Sequence, residues 1–558
     1  MIKPIGLFLG MAFLAVAART ANATTLSPIQ SHNAESTAAT IAASTMCAPL
    51  PSPSGAIVNV STVAELESAV NSATAGTTIL VANGTYNLNG VYLWFGVSNV
   101  TLRSASGNRQ AVVIDGNYST AEIITVAASN VTIADVTLRR AQTHPIHVVT
   151  SGGDTLNTLI YNVHLIDPGQ QAIKINPDLT RYPGRYTDNG VIACSHIELT
   201  DAGRAQVWNI NGSCYTGGVD AHQSRGWVIR DNTIEGFWCA NDLSEHGIHM
   251  WRGCRDTTIE RNLLRDNARG IGLGLTTSSG GRTYADNPCP TASGYVDDYG
   301  GTVRNNFVFA NRSGLFASEY GFDCGICFWN ACNARARHNT IYTGDAAHTF
   351  SSIEWRFPNT RADIVNNLVN HALRERDGAT ATQSGNVTNA QASWFVNAAS
   401  GDLHLAPSAT NAIDRVNAPG DVTDDIDGDA RPIGALSDVG ADEYGTPAPN
   451  AVTDLRVTNA ITAPNVLTAT LRWTPPSNAV TTTLRYSNGL ITEANWASAA
   501  LFGSLSGAPS VHTGQAPYTT GVVRFALKSQ SIQGTWSPLS NNAFFPYRDV
   551  SLPIIVRP

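Results

Sequence analysis

Between about residue 120 and residue 370 the chain alternates apolar and polar positions in a recurring line. The line reads G-φ-x-φ-x, then a turn, then φ-x-x-N-x-φ, where φ is apolar. The clearest copies are GVDAHQSRGWVIRDNTI (Gly218 to Ile234), GIHMWRGCRDTTIERNLL (Gly247 to Leu264) and SSIEWRFPNTRADIVNNLV (Ser351 to Val369). Each is two short period-2 segments, and copies recur roughly every 25 to 45 residues, which predicts a solenoid of stacked strands. No single repeat could bury its apolar face alone.

Alternate residues of a strand face opposite sides, so the repeats can be aligned in register. The inward set is Ile146/Val148, Ile173/Ile175, Val219/Ala221, Ile248/Met250, Ile271/Leu273, Leu315/Ala317 and Ile353/Trp355, all apolar. The second strand ends in an asparagine at 232, 262, 306, 339 and 367. Stacked inward, these would bond from rung to rung and satisfy turn backbone, a structural role. The outward set is chemically mixed. One row runs His147, Lys174, Asp220, His249, Gly272, Phe316, Glu354; its neighbour runs Val149, Asn176, His222, Trp251, Gly274, Ser318, Arg356. Rungs about 4.8 Å apart put adjacent side chains in contact. His147, Lys174, Asp220, His222 and His249 therefore form one patch with Trp251 beside it.

Two insertions frame the patch. PDLTRYPGRYTDNG follows Asn176 and carries Arg181, Tyr182, Arg185 and Tyr186; WCANDLSEHG precedes the His249 strand and carries Trp238, Glu245 and His246. Loops on a rigid scaffold commonly hold binding groups. Arginines and aromatics along a groove suit a sugar chain bearing carboxylates.

Elsewhere the patterning changes. MIKPIGLFLGMAFLAVAARTANA (1–23) has one lysine, an apolar run and a small-x-small site at Ala21-Asn22-Ala23, which predicts a cleaved signal peptide and a secreted protein with no membrane span. Residues 24–57 are Ala/Ser/Thr/Pro-rich and read as a flexible lead-in. Thr62 and Glu65 form a capping box ahead of an apolar stripe (Val63, Leu66, Ala69, Val70, Ala73), predicting a helix that plugs the first coil. Residues 58–445 make the solenoid, 446–449 a linker, 450–548 a sandwich of short strands with Trp473 in its core, and 549–558 a tail.

Nine cysteines in an exported chain point to disulfides rather than to zinc, with Cys47 standing alone in the lead-in. Charged residues are 14% of the chain and the net charge is −8, which argues against nucleic acid as a partner. A monomer acting on an acidic polysaccharide is expected. Asp424, Asp425, Asp427 and Asp429 have a calcium-like look without a full EF-hand pattern; turn formation and pairing with Arg431 is the plainer reading. His246 and His249, with Glu245 and His222, raise a metal reading, although their spacing puts the first two on opposite sides of a strand start.

Taken together, the signal segment, helix cap, repeats and closing segment DLHLAPSATNAIDRV…DEYG resemble right-handed parallel β-helix proteins of the pectate-lyase-like superfamily over residues 58–445. AIKIN around Lys174 resembles the strand that carries the catalytic lysine in chondroitinase-B-like and alginate-lyase-like enzymes. Those enzymes carry an arginine on the following strand, where this chain has Asp220-Ala221-His222 and, in the turn, Arg225. Residues 450–548 resemble a fibronectin type III module. The resemblance implies a polysaccharide lyase that needs no cofactor.

Eliminating across the C4–O bond of a uronic acid requires a neutralised carboxylate, a base for the C5 proton and an acid for the leaving oxygen. Lys174 is a base if its neighbours lower its pKa from about 10.4. With Asp220 close, Lys174 is instead the neutraliser, and His222 or His249 is the base. Arg181, Arg185 or Arg225 would hold the carboxylate. His147, Asn176, Glu245, His246, Trp251 and Arg356 line the substrate path. A C5-epimerase would use the same groups. A hydrolase needs paired carboxylates that the outward rows do not supply. A glycan-binding adhesin would show aromatics with scattered ionisable groups instead of this cluster.

Overall fold

The computed structural model describes residues 47–278, 280–445, 449–476, 478–531 and 535–545. The signal segment, the lead-in through residue 46, most of the linker and the tail lie outside the described residues.

From Thr77 onward the chain visits three parallel sheets in turn, one of fourteen strands and two of ten. This is a right-handed parallel β-helix. The capping box opens the helix Val63–Asn71: Glu65 N donates to Thr62 Oγ1 (3.2 Å) and Thr62 N to the Glu65 carboxylate (3.1 Å). Its buried Leu66, Ala69 and Val70 pack on the strands of the first coil, covering apolar ends that would otherwise meet water.

The lead-in is tied down from Cys47 onward. Cys47 is joined to Cys194, Tyr161 donates to the Ala48 carbonyl (2.5 Å), and Arg103 donates to the Pro51 carbonyl (2.8 Å). The cysteine that stood alone in the sequence thus closes the longest of four loops, the others being Cys214–Cys239, Cys289–Cys332 and Cys324–Cys327. Among the described residues Cys254 is free, and it is buried.

In one ten-stranded sheet, here called the site sheet, Ile146, Ile173, Val219, Ile248, Ile271, Ile326 and Ile353 stack in register, each fully buried. One rung differs from expectation. Leu315 and Ala317 do not enter the sheet, because Ser313–Phe316 is a helical turn. The rung is Phe322–Trp329, and Cys327 and Trp329 take the outward places expected for Phe316 and Ser318.

The asparagine ladder runs at a corner of the coil. Asn232, Asn262, Asn306 and Asn339 each donate through Nδ2 to the Oδ1 of the next, at 2.9 to 3.0 Å, and Asn339 to Asn367. Each acceptor also takes the preceding asparagine's backbone N–H, and Asn386 extends the series. The residue before each ladder position is left-handed: Asp231, Arg261, Asn305, His338 and Asn366 have φ of 50 to 59°. Such a corner costs roughly 1 kcal/mol per residue, and the side-chain bonds offset it.

The closing segment packs on the outer face of the second ten-stranded sheet. Trp394, Leu403, Val439 and Ala441 cover Phe307, Phe309 and Leu368. Its acids serve turns and pairs. Asp425 accepts the amides of Asp427, Asp429 and Glu443, Asp424 pairs with Arg261, and Asp427 pairs with His404. Arg431 pairs with Glu443 and donates to the Asp424 carbonyl. Asp424 and Asp425 are thus engaged by Arg261 and by turn amides, while Asp427 lies grouped with His404 and Asp442. Beyond residue 449, antiparallel sheets of three and four strands form a small sandwich around Trp473, Leu484 and Phe525.

Candidate functional site

Register delivers the chemistry. On the site sheet His147 pairs with Lys174, Lys174 with Asp220 and Asp220 with His249, while His222 pairs with Trp251 in the neighbouring row. The same outward row begins earlier, at Trp94 and Thr125, and continues through Gly272 and Cys327 to Glu354 and Arg374. The patch is therefore the middle of a long face.

Asp220 is its hub. One carboxylate oxygen takes the Lys174 ammonium and lies 3.4 Å from His222 Nε2; the other accepts Trp251 Nε1 at 2.8 Å. Lys174 Nζ is also 3.2 Å from His222 Nε2. Trp251 stacks parallel to His249 (5.4 Å) and meets His222 edge-on (4.7 Å). Burial would push the Asp220 carboxyl up, but Lys174, His222 and His249 together hold it well below the carboxylate range. Burial lowers His222 from 6.5, helped by Lys174 and Arg252 and opposed by Asp220. The group is thus a carboxylate–ammonium pair with a neutral imidazole against it.

Access is uneven. Lys174 is 7% exposed and His249 0%, the His222 side chain is 12% exposed, and Trp251 is half-buried. His147 is held between Glu122 Oε1 and Asn176 Oδ1, both at 2.8 Å. His246 is fully buried, its ring 4.3 Å from that of His249. The two histidines lie on the same side, contrary to the spacing argument, because Glu245 and His246 belong to the incoming loop and not to the strand.

The arginines expected beside the patch are dispersed. Arg225 pairs with Asp256 (3.2 Å) and bridges the backbone of Arg255 in another sheet; Arg185 pairs with Asp154 (3.8 Å); Arg181 is exposed on its loop. Arg356 lies farther along the face and pairs with Asp377. Arg252, not singled out by the sequence pattern, acts electrostatically on His222 and lies 5.6 Å from the Trp251 ring. Its only sequence signal is its place directly after Trp251. Glu122 was equally hidden, since it lies outside the strand whose register placed His147. Farther down, buried Glu354 accepts Trp329 Nε1 and pairs with Arg376 (3.2 Å).

No protein-family profile matches the chain, and no curated protein matches it. Among solved structures it is similar to an alginate lyase from Paenibacillus sp. str. FPU-7, at 14% identity and TM-score 0.39 over 60% of this chain and 99% of that one. A rhamnogalacturonan lyase gives 13% identity and TM-score 0.39 over 67% of this chain and 91% of that one. The tailspike protein of E. coli bacteriophage HK620, in complex with a pentasaccharide, gives 11% identity and TM-score 0.38 over 86% of each chain. Activity has to be argued from the chain's own residues.

Proposed function

We propose that the protein is a secreted lyase that cleaves a uronate-containing polysaccharide by β-elimination. The observation that carries this reading is the Lys174–Asp220–His222 group, a fixed cation beside an imidazole held neutral, on the open face of the helix and next to Trp251. Lys174, paired with Asp220, is the cation that neutralises the substrate carboxylate, and His222 is the base. A carboxylate entering beside Lys174 competes for its protons and frees the Nε2 lone pair of His222. Binding thereby arms the base. His222 takes the C5 proton, the C4–O bond breaks as C4=C5 forms, and the imidazolium returns the proton to the leaving oxygen. Arg252 and Lys174 stabilise the charge that develops on the carboxylate. Trp251 offers an aromatic edge to the sugar, and Trp94, 39% exposed at the head of the same row, offers another. We read the C-terminal sandwich as a fibronectin type III-like spacer.

Near-complete burial of Lys174, Asp220 and His249 favours a second reading, a non-catalytic glycan-binding face with an internal ion pair. Incubation with a panel of acidic polysaccharides separates the two. Ultraviolet absorbance from unsaturated uronate ends supports elimination. Binding without absorbance supports the binder, and reducing ends without absorbance indicate hydrolysis.

A further inference from the structure

The loop that precedes the His249 strand is rigidly held. Cys239 is joined to Cys214, Asp242 N donates to Glu319 (2.9 Å), and Ser244 Oγ donates to the Phe237 carbonyl (2.9 Å). It delivers Glu245 and His246 against His249, with one ligand-capable atom from each lying within 4.8 Å of the others. The His246 ring lies over Gly272, where a Cβ would stand 2.6 Å from Nε2, so the absence of a side chain at 272 makes the space. Four polar atoms here are buried without a hydrogen-bond partner: Glu245 Oε2, His249 Nδ1 and both ring nitrogens of His246. Glu245 Oε2 and His249 Nδ1 are 3.2 Å apart but outside hydrogen-bond geometry. Folded proteins leave few such atoms, and a cluster of them calls for an occupant.

We propose that Glu245, His246 and His249 bind one divalent transition-metal ion of the zinc class. Two imidazoles and a carboxylate are a zinc-type donor set, with bonds of about 2.0–2.2 Å that put ligand atoms about 3.4 Å apart around a tetrahedral ion. The 3.2 Å between Glu245 and His249 already fits that spacing, and a ring nitrogen of His246 lies within 4.8 Å of both. The Glu245 side chain is 24% exposed and gives the ion a way in. Cys324 and Cys327 also reach His246, but they are joined to each other, so the oxidised protein offers only imidazole and carboxylate. The site does not depend on elimination being the activity of the neighbouring patch.

The test uses the full chain, stripped with chelator and kept free of reductant, titrated with Zn²⁺ by calorimetry and with Co²⁺ by visible absorption. One ion per chain is expected, with Glu245→Gln and His246→Ala each weakening binding at least tenfold. His164→Ala, in the separate His164–His196–Glu198 group, is expected to leave it unchanged. Glu245 is partly exposed on a loop, so Glu245→Gln remains informative even where His246→Ala fails to fold. A wild-type chain that binds no ion overturns the proposal. So does binding that persists undiminished in either variant of the triad, or binding lost with His164→Ala.

Discussion

Two stacked rows on the same coil obey opposite rules. In the corner ladder every rung repeats asparagine, because each side chain satisfies its neighbour in the same way and any other residue would leave buried amides unpaired. In the outward row of the site sheet no two adjacent rungs repeat: Trp94, Thr125, His147, Lys174, Asp220, His249, Gly272. Repetition marks a position that holds the coil together. Its loss, on a face that could have stayed threonine and serine, marks a position chosen for chemistry.

The sharpest way to break this contrast is to remove one member of each row. His222→Ala is expected to lower turnover on the responsive polysaccharide by about 10²–10⁴-fold, with an unfolding free energy close to wild type. Asn262→Ala should do the reverse. It strips the side-chain acceptor from Asn232 N and Nδ2 and one donor each from the Ile229 carbonyl and Asn306 Oδ1, costing on the order of 3 kcal/mol in a denaturant titration. Equal effects of both changes on stability would erase the distinction between the rows.

Acid stability gives a second separation. Asp220 is held below its ordinary carboxyl value, so its pairing contributes stability above the unfolded pKa, and that stability is lost as pH falls through the lower folded value. Lys174→Met removes the main attractive partner, raises the Asp220 pKa and should move acid unfolding to higher pH. Asn262→Ala changes no charge and should lower stability by a similar amount across that range. The pH–rate profile is a finer probe. A base lowered from 6.5 stays neutral at and above neutral pH, so the rate should hold there and fall only as pH drops through the acid range below 6.5. The smallest expected effect belongs to the row's exposed end: Trp94→Ala should weaken binding of long oligosaccharides several-fold while sparing short ones, read as a rise in KM with kcat unchanged.

Much of the coil was legible before any coordinates, because inward apolar pairs alternate along each first strand and an asparagine recurs at the end of the second. The same rule misled at Gly314-Leu315-Phe316-Ala317, whose apolar spacing imitates a strand start. The true rung, Phe322–Trp329, carries the same line at Gly325-Ile326-Cys327-Phe328-Trp329, with a cysteine in its outward place. The helix Asp201–Asn211 was invisible for a related reason, since only Gly203 and Val207 are buried along it and no apolar stripe announces it. Register could place Lys174 beside Asp220, but it could not foresee that His246 meets His249, or that Cys47 reaches Cys194. Those contacts depend on loop paths, which periodicity does not encode. The arginines failed for the same cause: Arg225 and Arg185 belong to turns, and they find their own acids there.

The most direct test is ultraviolet detection of unsaturated uronate ends, comparing wild type with Lys174→Ala and His222→Ala across a panel of acidic polysaccharides. Absorbance should rise with at least one substrate for the wild type and stay flat for both variants, while circular dichroism shows the coil intact. Full activity in either variant, or glycan binding by the wild type with no absorbance on any substrate, would contradict the assignment of this patch to elimination.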